Sequence, residues 1–511
     1  MALCLTSGCG VRVKVREDWS QSRDSRIHLA QATVAWDQIK SGRLPEPEQL
    51  QVYNDAVRNS VIQIGSNWAS GERPLSVVDT SEGEVSLGVV SVNVLDHQFI
   101  DEMVPAEFLR VKRGFESESV VEGVGTSLVV RQPWSQRDPM IPESGIWYPV
   151  TAVLNLDRPK QPVLQLIDPT KKAELSYKGE RIPLEANFTA AFARDVLGRQ
   201  DQFPDLQALF RFEKFAEGIG LQRISVFDPD KQVCILIHGI HSGPSTWDEA
   251  VNQFYADKVL REKFEFWTFG YPTGALIPYL SAELRDSIAA MRNFRQSRGA
   301  TDDSLVVVGH SMGGLLAKSM TLSGGDDDWN QLFRVPIGKL NVSDEYRETL
   351  RRVIYYEPVQ GIDKLIMCAT PHRGSRVASR FGGRLVGSLL QMPAQLARGG
   401  SEILKNSDQT LTPLGWEIAK GNLSSLGQLR PNSLISKGYL NKPLNPSVKY
   451  YSIIGSKSKG GPVEESSDGL VEYSSAHIEG VVSEVVINGV PHKHHQTDTG
   501  IQEIIRTLKL P

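Results

Sequence analysis

One segment restricts the fold of this chain more than any other. From Leu305 to Lys318 it reads Leu-Val-Val-Val-Gly-His-Ser-Met-Gly-Gly-Leu-Leu-Ala-Lys. Four β-formers predict a buried strand, Leu315–Lys318 predict a helix, and G-x-S-x-G lies between them. A serine on so sharp a strand-to-helix turn sits in a strained backbone conformation. Gly309 and Gly313 remove the side chains that would collide across that turn. The helix begins directly beneath the serine, so its positive dipole end favours negative charge developing there. The order strand, turn, helix makes Ser311 a candidate nucleophile rather than a bystander in a Gly-rich loop.

The surrounding pattern supplies the sheet that such a turn requires. From Lys231 onward, strands at Val233–Ile237, Phe264–Phe269 and Leu305–Val308 alternate with helices at Ser245–Leu260, Leu276–Arg295 and Gly313–Leu322. Ser245 or Thr246 is placed to cap the first helix. Further strands are expected at Leu365–Ala369, Tyr450–Ile454 and Glu484–Ile487, and a closing helix at Ile501–Leu508. Alternation of this kind marks an α/β fold, a mostly parallel sheet with helices on both faces.

The pattern changes near residue 220, which divides the chain into an N-terminal region 1–220 and a second unit 221–511. The first begins with polar, helix-like stretches (Ile27–Lys40, Glu48–Ile62). It continues with β-rich runs at Val85–Leu95, Ser127–Arg131, Tyr148–Leu156 and Val163–Ile167, expected to form an antiparallel region. Ala186–Leu197 and Leu206–Glu217 then read as helices. Nothing in residues 1–220 carries a catalytic signature. Within the second unit, about 323–447 exceeds what the sheet needs and is expected to form a cap insertion. There Val377, Phe381, Leu385 and Leu389 recur every four residues, as do Arg376, Arg380 and Arg384, a helical pattern weakened by Gly382-Gly383. It reads as a cap helix on the core, with the sharper alternative of a lid meeting acyl chains or an anionic lipid surface.

Composition removes several classes of function. Among 511 residues, Lys plus Arg is 56 and Asp plus Glu is 60, a net charge of −4. That balance gives no electrostatic case for a nucleic-acid partner. No stretch approaches the roughly 18 consecutive apolar residues of a membrane-spanning helix. The four cysteines, Cys4, Cys9, Cys234 and Cys368, form no CxxC pair, which argues against a thiolate zinc site. Leu5-Thr6-Ser7-Gly8-Cys9 looks like the end of a lipoprotein signal, although only eight residues precede Cys9, without a basic n-region or a full h-region. The two readings are a lipid-anchored envelope protein, with its start upstream, and a short disordered tail on a cytoplasmic one.

Other segments supply partners for Ser311. Val233–Ile237 ends in His238-Gly239-Ile240, and in a sheet of this type the loop after that strand donates a backbone N–H to a developing oxyanion. The residue after the nucleophile donates the other. Ile240 and Met312 are the candidates. Where a turn serine is the nucleophile, its partners follow in the order acid, then histidine. Past the strand at Tyr450–Ile454 comes Glu464-Glu465-Ser466-Ser467-Asp468-Gly469, where Asp468-Gly469 is a turn-forming pair and Glu464 and Glu465 compete for the role. Between the last strand and the last helix lies Pro491-His492-Lys493-His494-His495. On position alone His492 and His495 are equal candidates for the base. A histidine-bound metal is the rival reading, but no fourth ligand appears at suitable spacing.

With these residues in view, the chain from about 225 to 511 resembles bacterial esterase/lipase-like α/β-hydrolases, a group often described as lipoproteins. The likeness rests on Ile237–Ile240 followed by Ser242-Gly243-Pro244-Ser245-Thr246-Trp247, on Phe266-Trp267 with Tyr271-Pro272-Thr273-Gly274, and on Gly309–Gly314. It extends to Ala369-Thr370-Pro371-His372-Arg373-Gly374-Ser375 and Ser467-Asp468-Gly469-Leu470-Val471. The family's terminal histidine precedes the isoleucine of the last helix by about nine residues, which from Ile501 selects His492. Pro491 and Lys493 depart from the family's glycine and serine there, so His495 stays an alternative. The resemblance implies an α/β-hydrolase fold, no cofactor, and a small-molecule or lipid ester substrate cleaved through an acyl-enzyme, with membrane-surface association an open option. A thioesterase, amidase or acyltransferase could run on the same triad. A non-catalytic envelope binding protein could keep the same fold.

Overall fold

The structure, a computed structural model, describes residues 14–17, 26–68, 76–92, 100–113, 115–199, 219–376, 402–403, 409–419, 427–431, 433, 438 and 441–511. Cys4, Cys9, the expected helix at Leu206–Glu217 and the two stripes at 377–389 lie outside these residues.

The first unit is a sheet with two helices laid on it. Helix α1 (Leu29–Lys40) buries Ala32, Ala35, Trp36 and Ile39, whose spacing of three and four puts them on one face. Helix α2 (Pro47–Trp68) turns Tyr53 against Trp36, and the Tyr53 hydroxyl donates to the Leu154 carbonyl at 2.8 Å. Beneath them are strands β1 (Ser76–Thr80), β2 (Gly83–Val92), β3 (Glu102–Pro105), β4 (Thr126–Gln132), β5 (Ile146–Asn155) and β6 (Val163–Ile167). They form one six-stranded sheet in the order β1-β2-β6-β5-β4-β3. The expected antiparallel character holds for every neighbouring pair except β2 and β6, which run parallel. Those two are adjacent in space but have the other three strands β3, β4 and β5 of this sheet between them in sequence, and a crossover connects them.

Helix α3 (Phe188–Arg199) leads into the second unit. It is packed there, since Phe192, Ala193 and Val196 share a buried cluster with Phe254 and Phe266. The second unit is built on strands β7 (Gly220–Arg223), β8 (Gln232–Ile237), β9 (Phe264–Gly270), β10 (Leu305–His310), β11 (Ile362–Cys368), β12 (Lys449–Ser456) and β13 (Ser483–Asn488). Their order is β7-β9-β8-β10-β11-β12-β13; β7 is antiparallel to β9 and every other pair is parallel. The uninterrupted apolar runs follow from burial on two faces. Ile235, Ile237, Val307 and Leu365 face α5 (Ile277–Ser297) and α6 (Met312–Ser319). Cys234, Leu236, Val306 and Ile366 face α4 (Asp248–Ala256) and the closing helix α7 (Asp498–Lys509). Successive residues alternate between the two sides, as the strand period requires.

Two expectations need correction. The stretch 323–447 is not one cap insertion, because β11 lies inside it as an interior strand between β10 and β12. The excursions are therefore two, one on each side of β11. Helices at Asp326–Leu332 and Asp344–Ile354 in the first share a small apolar cluster with Ile403 and Leu411 from the second. Nor does Thr246 cap a helix: Pro244–Trp247 is a 3-10 turn, and Asp248–Ala256 begins after it without a side-chain cap. The Thr246 hydroxyl is directed elsewhere, as described below.

Strand β8 has β9 on one side and β10 on the other, so the chain order reverses at β8. Loops leaving the carboxyl ends of β8 and β10 diverge there, and a crevice at such a switch point is where open α/β sheets bind ligands. His238-Gly239-Ile240 leaves the first of these strands and Ser311 leaves the second.

Candidate active site

Ser311 sits between β10 and α6 with φ 55° and ψ −120°, in the region a non-glycine residue seldom occupies. Its own N–H donates to the Cys368 carbonyl on β11 at 2.8 Å, which fixes the strained turn from the side. The glycines around it are there for contact reasons. A Cβ on Gly309 would lie 2.5 Å from the Gly313 carbonyl oxygen, and one on Gly313 would lie 2.3 Å from the carbonyls of Ile237 and His238. One on Gly314 would fall 1.9 Å from Thr370 Oγ1. The turn thus presses against the end of β8 and the loop after β11 with no room for side chains, which holds the serine at the crest.

The structure brings three of the expected site residues into a line. His492 Nε2 is 3.0 Å from Ser311 Oγ, and His492 Nδ1 is 2.7 Å from Asp468 Oδ2. With Nδ1–H donating to the carboxylate, Nε2 is left bare to accept the serine hydroxyl proton. The other carboxylate oxygen, Asp468 Oδ1, accepts the N–H groups of Leu470 at 2.8 Å and Val471 at 2.7 Å. Burial pushes the Asp468 carboxyl up, but the hydrogen bond and charge of His492 and the two backbone donors outweigh it, and the group is held below its ordinary range. Asp468 is 2% exposed and Ser311 4% exposed, so the line lies in a medium that strengthens each of its hydrogen bonds.

The competing residues lie elsewhere. Glu464 and Glu465 belong to a short 3-10 turn before Asp468, where neither side chain is buried. His495, the alternative base, is fully buried, stacked on His310 with ring centres 3.7 Å apart, and its Nε2 is 2.9 Å from Thr246 Oγ1. Among the described residues no group of histidine, cysteine and carboxylate side chains is arranged to hold a metal ion.

Of the two expected oxyanion donors, one is next to the serine in the chain and the other is on the loop after β8. Met312 is the first residue of α6, and the N–H groups of a first helical turn have no carbonyl one turn behind them. Ile240 follows Gly239, and a Cβ on Gly239 would be 3.0 Å from the Ser311 Cβ. The loop after β8 therefore lies directly against the turn that carries Ser311. The His238 ring is stacked on Tyr271, 4.0 Å between centres, and the Tyr271 hydroxyl donates to the His238 carbonyl. Burial holds His238 down at about 4, so its ring is a neutral packing element.

Three ties beside the serine are not legible as contacts in the sequence. Ser375 donates its hydroxyl to the Leu470 carbonyl, the Arg373 N–H donates to Ser475 Oγ, and the Ser475 hydroxyl donates to the Gly374 carbonyl. The loop after β11 and the loop carrying Asp468 are thereby tied together, although about a hundred residues separate them in sequence. His310 was visible only as the variable position of the serine motif.

Fold and site together define an α/β protein with a buried serine–histidine–aspartate line at the switch point of its parallel sheet. No family model matches the chain, and no curated protein sequence matches it. Among solved structures it is similar to the mature form of lipase BlEst2 of Bacillus licheniformis, at 15% identity and a TM-score of 0.32 over 55% of this chain and 93% of that one. Lipase 1 from Pelosinus fermentans matches at 12% identity and a TM-score of 0.32, over 55% of this chain and 100% of that one. The lin2722 product of Listeria innocua matches at 15% identity and a TM-score of 0.28, over 55% of this chain and 94% of that one.

Proposed function

We propose that this chain is a serine hydrolase of the α/β-hydrolase type that cleaves carboxylic esters of small molecules or lipids. The observation that carries the reading is the continuous line from Ser311 Oγ through His492 to Asp468, at 3.0 and 2.7 Å. Ser311 Oγ attacks the acyl carbonyl while His492 Nε2 takes its proton. Asp468 orients the imidazole and stabilises the imidazolium that forms. The backbone N–H groups of Ile240 and Met312 receive the negative charge on the tetrahedral oxygen, each worth about 3 kcal/mol in the transition state. His492 then protonates the departing alkoxide. Water, deprotonated by the same ring, releases the acid from the acyl-enzyme.

Ser311→Ala tests this. Hydrolysis of p-nitrophenyl butyrate is expected to fall by on the order of 10⁴-fold or more, with no labelling by a fluorophosphonate probe that labels the wild-type chain. An undiminished rate in the variant rejects Ser311 as nucleophile. A wild-type chain that neither hydrolyses the ester nor takes the label rejects the enzyme reading altogether.

A further inference from the structure

Three neutral-ring contacts behind the triad are not used by the mechanism above. His310 Nε2 is 3.0 Å from the His492 carbonyl oxygen, and since a carbonyl only accepts, Nε2 carries the hydrogen. His310 Nδ1 is then bare, and it lies where a Cβ on Gly239 would be only 2.9 Å away. A face of the ring is stacked on His495, 3.7 Å between centres and 28° between planes. His495 in turn meets Thr246 Oγ1 at 2.9 Å, and Gln496 Nε2 donates to the same hydroxyl at 3.0 Å. His310 is 4% exposed and His495 is 0% exposed.

The sequence Thr246–His495–His310–His492 therefore joins three loops in one buried stack. Thr246 and Gly239 stand on the segment after β8, His310 enters the nucleophile turn, and His492 and His495 belong to the loop before α7. The same loop is also tied to β12, where the Val490 N–H donates to the Ser456 carbonyl at 2.9 Å, but the stack is what reaches the turn that carries Ser311. His492 comes from a segment between a strand and a helix, and its ring must be placed to a few tenths of an ångström against a serine on a different element.

We infer that His310 and His495 are positioning residues: their stacked rings, anchored on Thr246, hold the His492 backbone so that Nε2 stays within hydrogen-bond reach of Ser311. This rests on the hydrolase reading above for its catalytic consequence, but not for its geometry. The rings facing His310 are those of His492, His494 and His495, and burial with those neighbours holds His310 well below the usual imidazole range, so it stays a neutral Nε2–H donor. A protonated His310 would still donate to the carbonyl, but it would put charge against His495 in a water-excluded site.

The test compares His310→Phe, which keeps a flat ring for the stack but has no donor, with His310→Gln, whose amide nitrogen can donate in place of Nε2. Steady-state hydrolysis of p-nitrophenyl butyrate is expected to show kcat reduced about tenfold or more in the phenylalanine variant. KM should change by less than about twofold, and most of kcat should return in the glutamine variant. His495→Phe, which keeps the ring but loses the anchor on Thr246, should fall between them. In parallel, proton NMR of the chain without substrate should show the low-field His492 Nδ1–H resonance in the wild type and glutamine variant, broadened or lost in the phenylalanine variant. Wild-type kcat and an unchanged low-field resonance in His310→Phe would overturn the inference. So would equal losses in both His310 variants that track their thermal midpoints, since that marks a packing role alone. The NMR arm decides the geometry even if the chain proves inactive on esters, so failure of the hydrolase reading and failure of the positioning role give different results.

Discussion

At the scale of single residues, the candidate site combines backbone strain with burial. Ser311 is one of four non-glycine residues with positive φ among those described, with Lys178, His241 and Ala369. Two of the other three, His241 and Ala369, lie on the loops that flank it. Such a conformation persists because the surroundings over-determine it. Gly313→Ala should show this, since the added methyl meets two carbonyl oxygens rather than a movable side chain. Its cost is expected to be about 1–3 kcal/mol or somewhat more, read as a lower thermal midpoint together with lost hydrolysis. Asp468→Asn acts differently. It keeps the shape but favours the wrong tautomer of His492, and kcat is expected to fall by on the order of 10⁴-fold with the thermal midpoint little changed. Full activity in that variant would remove Asp468 from the mechanism. Burial holds both His238 and His494 down at about 4, against an ordinary value near 6.5. The unfolded chain takes up these protons as pH falls below about 6.5 while the fold refuses them, so their stability contribution is full above 6.5 and lost on the way to 4. Thermal midpoints measured from pH 7.5 to 4 should decline from just below 6.5; a flat profile to pH 4.5 would contradict this.

At the scale of elements, helix α7 is held at its C-terminal end by one lysine from the middle of the sheet. Lys364 on β11 sends Nζ to the carbonyls of Thr507 at 2.9 Å, Leu508 at 3.4 Å and Leu510 at 2.6 Å. These are the carbonyls that a helix end leaves without intrahelical donors, and a cation also opposes the negative end of the dipole. The lysine is 4% exposed, and burial with the nearby Lys263 and Lys449 brings it down to about 8. Lys364→Met keeps the stem and removes the donors. We expect a loss of about 1–3 kcal/mol and faster hydrogen exchange confined to the last turn of α7. Because His492 lies just before this helix, a drop in activity without that exchange signature would point to some other cause.

At the scale of the whole molecule, the two units share buried structure. Asp138 from the first unit holds Arg223 on β7 at 2.6 Å, and both are buried. Thr189 of α3 donates to Asn252 of α4 at 2.9 Å, and Arg199 reaches both Asp195 and Asp248. Removing one partner of a buried ion pair leaves the other uncompensated, at a cost of about 3–5 kcal/mol. Asp138→Ala should therefore lower a single calorimetric unfolding transition for the full chain rather than one of two. Two separate transitions in the wild type would show instead that the units are independent. For the same reason residues 221–511 expressed alone are expected to be insoluble, since Phe254 and Phe266 would lose the cover of Phe192 and Val196.

What the sequence determined by itself is what short-range chemistry encodes. A strand–turn–helix can be read around Ser311 because glycine spacing and β-formers are local, and the order of strands and helices from Lys231 can be read because two-faced burial leaves continuous apolar runs. Asp468 and His492 could be narrowed to two loops by their order in the chain, but His492 and His495 were equal by position. The family spacing back from Ile501 favours His492, and the tertiary structure shows where each ring goes, because a ring's partner is decided by which loops meet: His492 faces Ser311, while His495 is taken up by His310 and Thr246. The same holds for the place of β11 between β10 and β12 (the strand itself was legible), for the parallel β2–β6 pair and for the Arg373, Ser375 and Ser475 ties. Each joins residues far apart in the chain, and no local pattern records a contact made across a sheet.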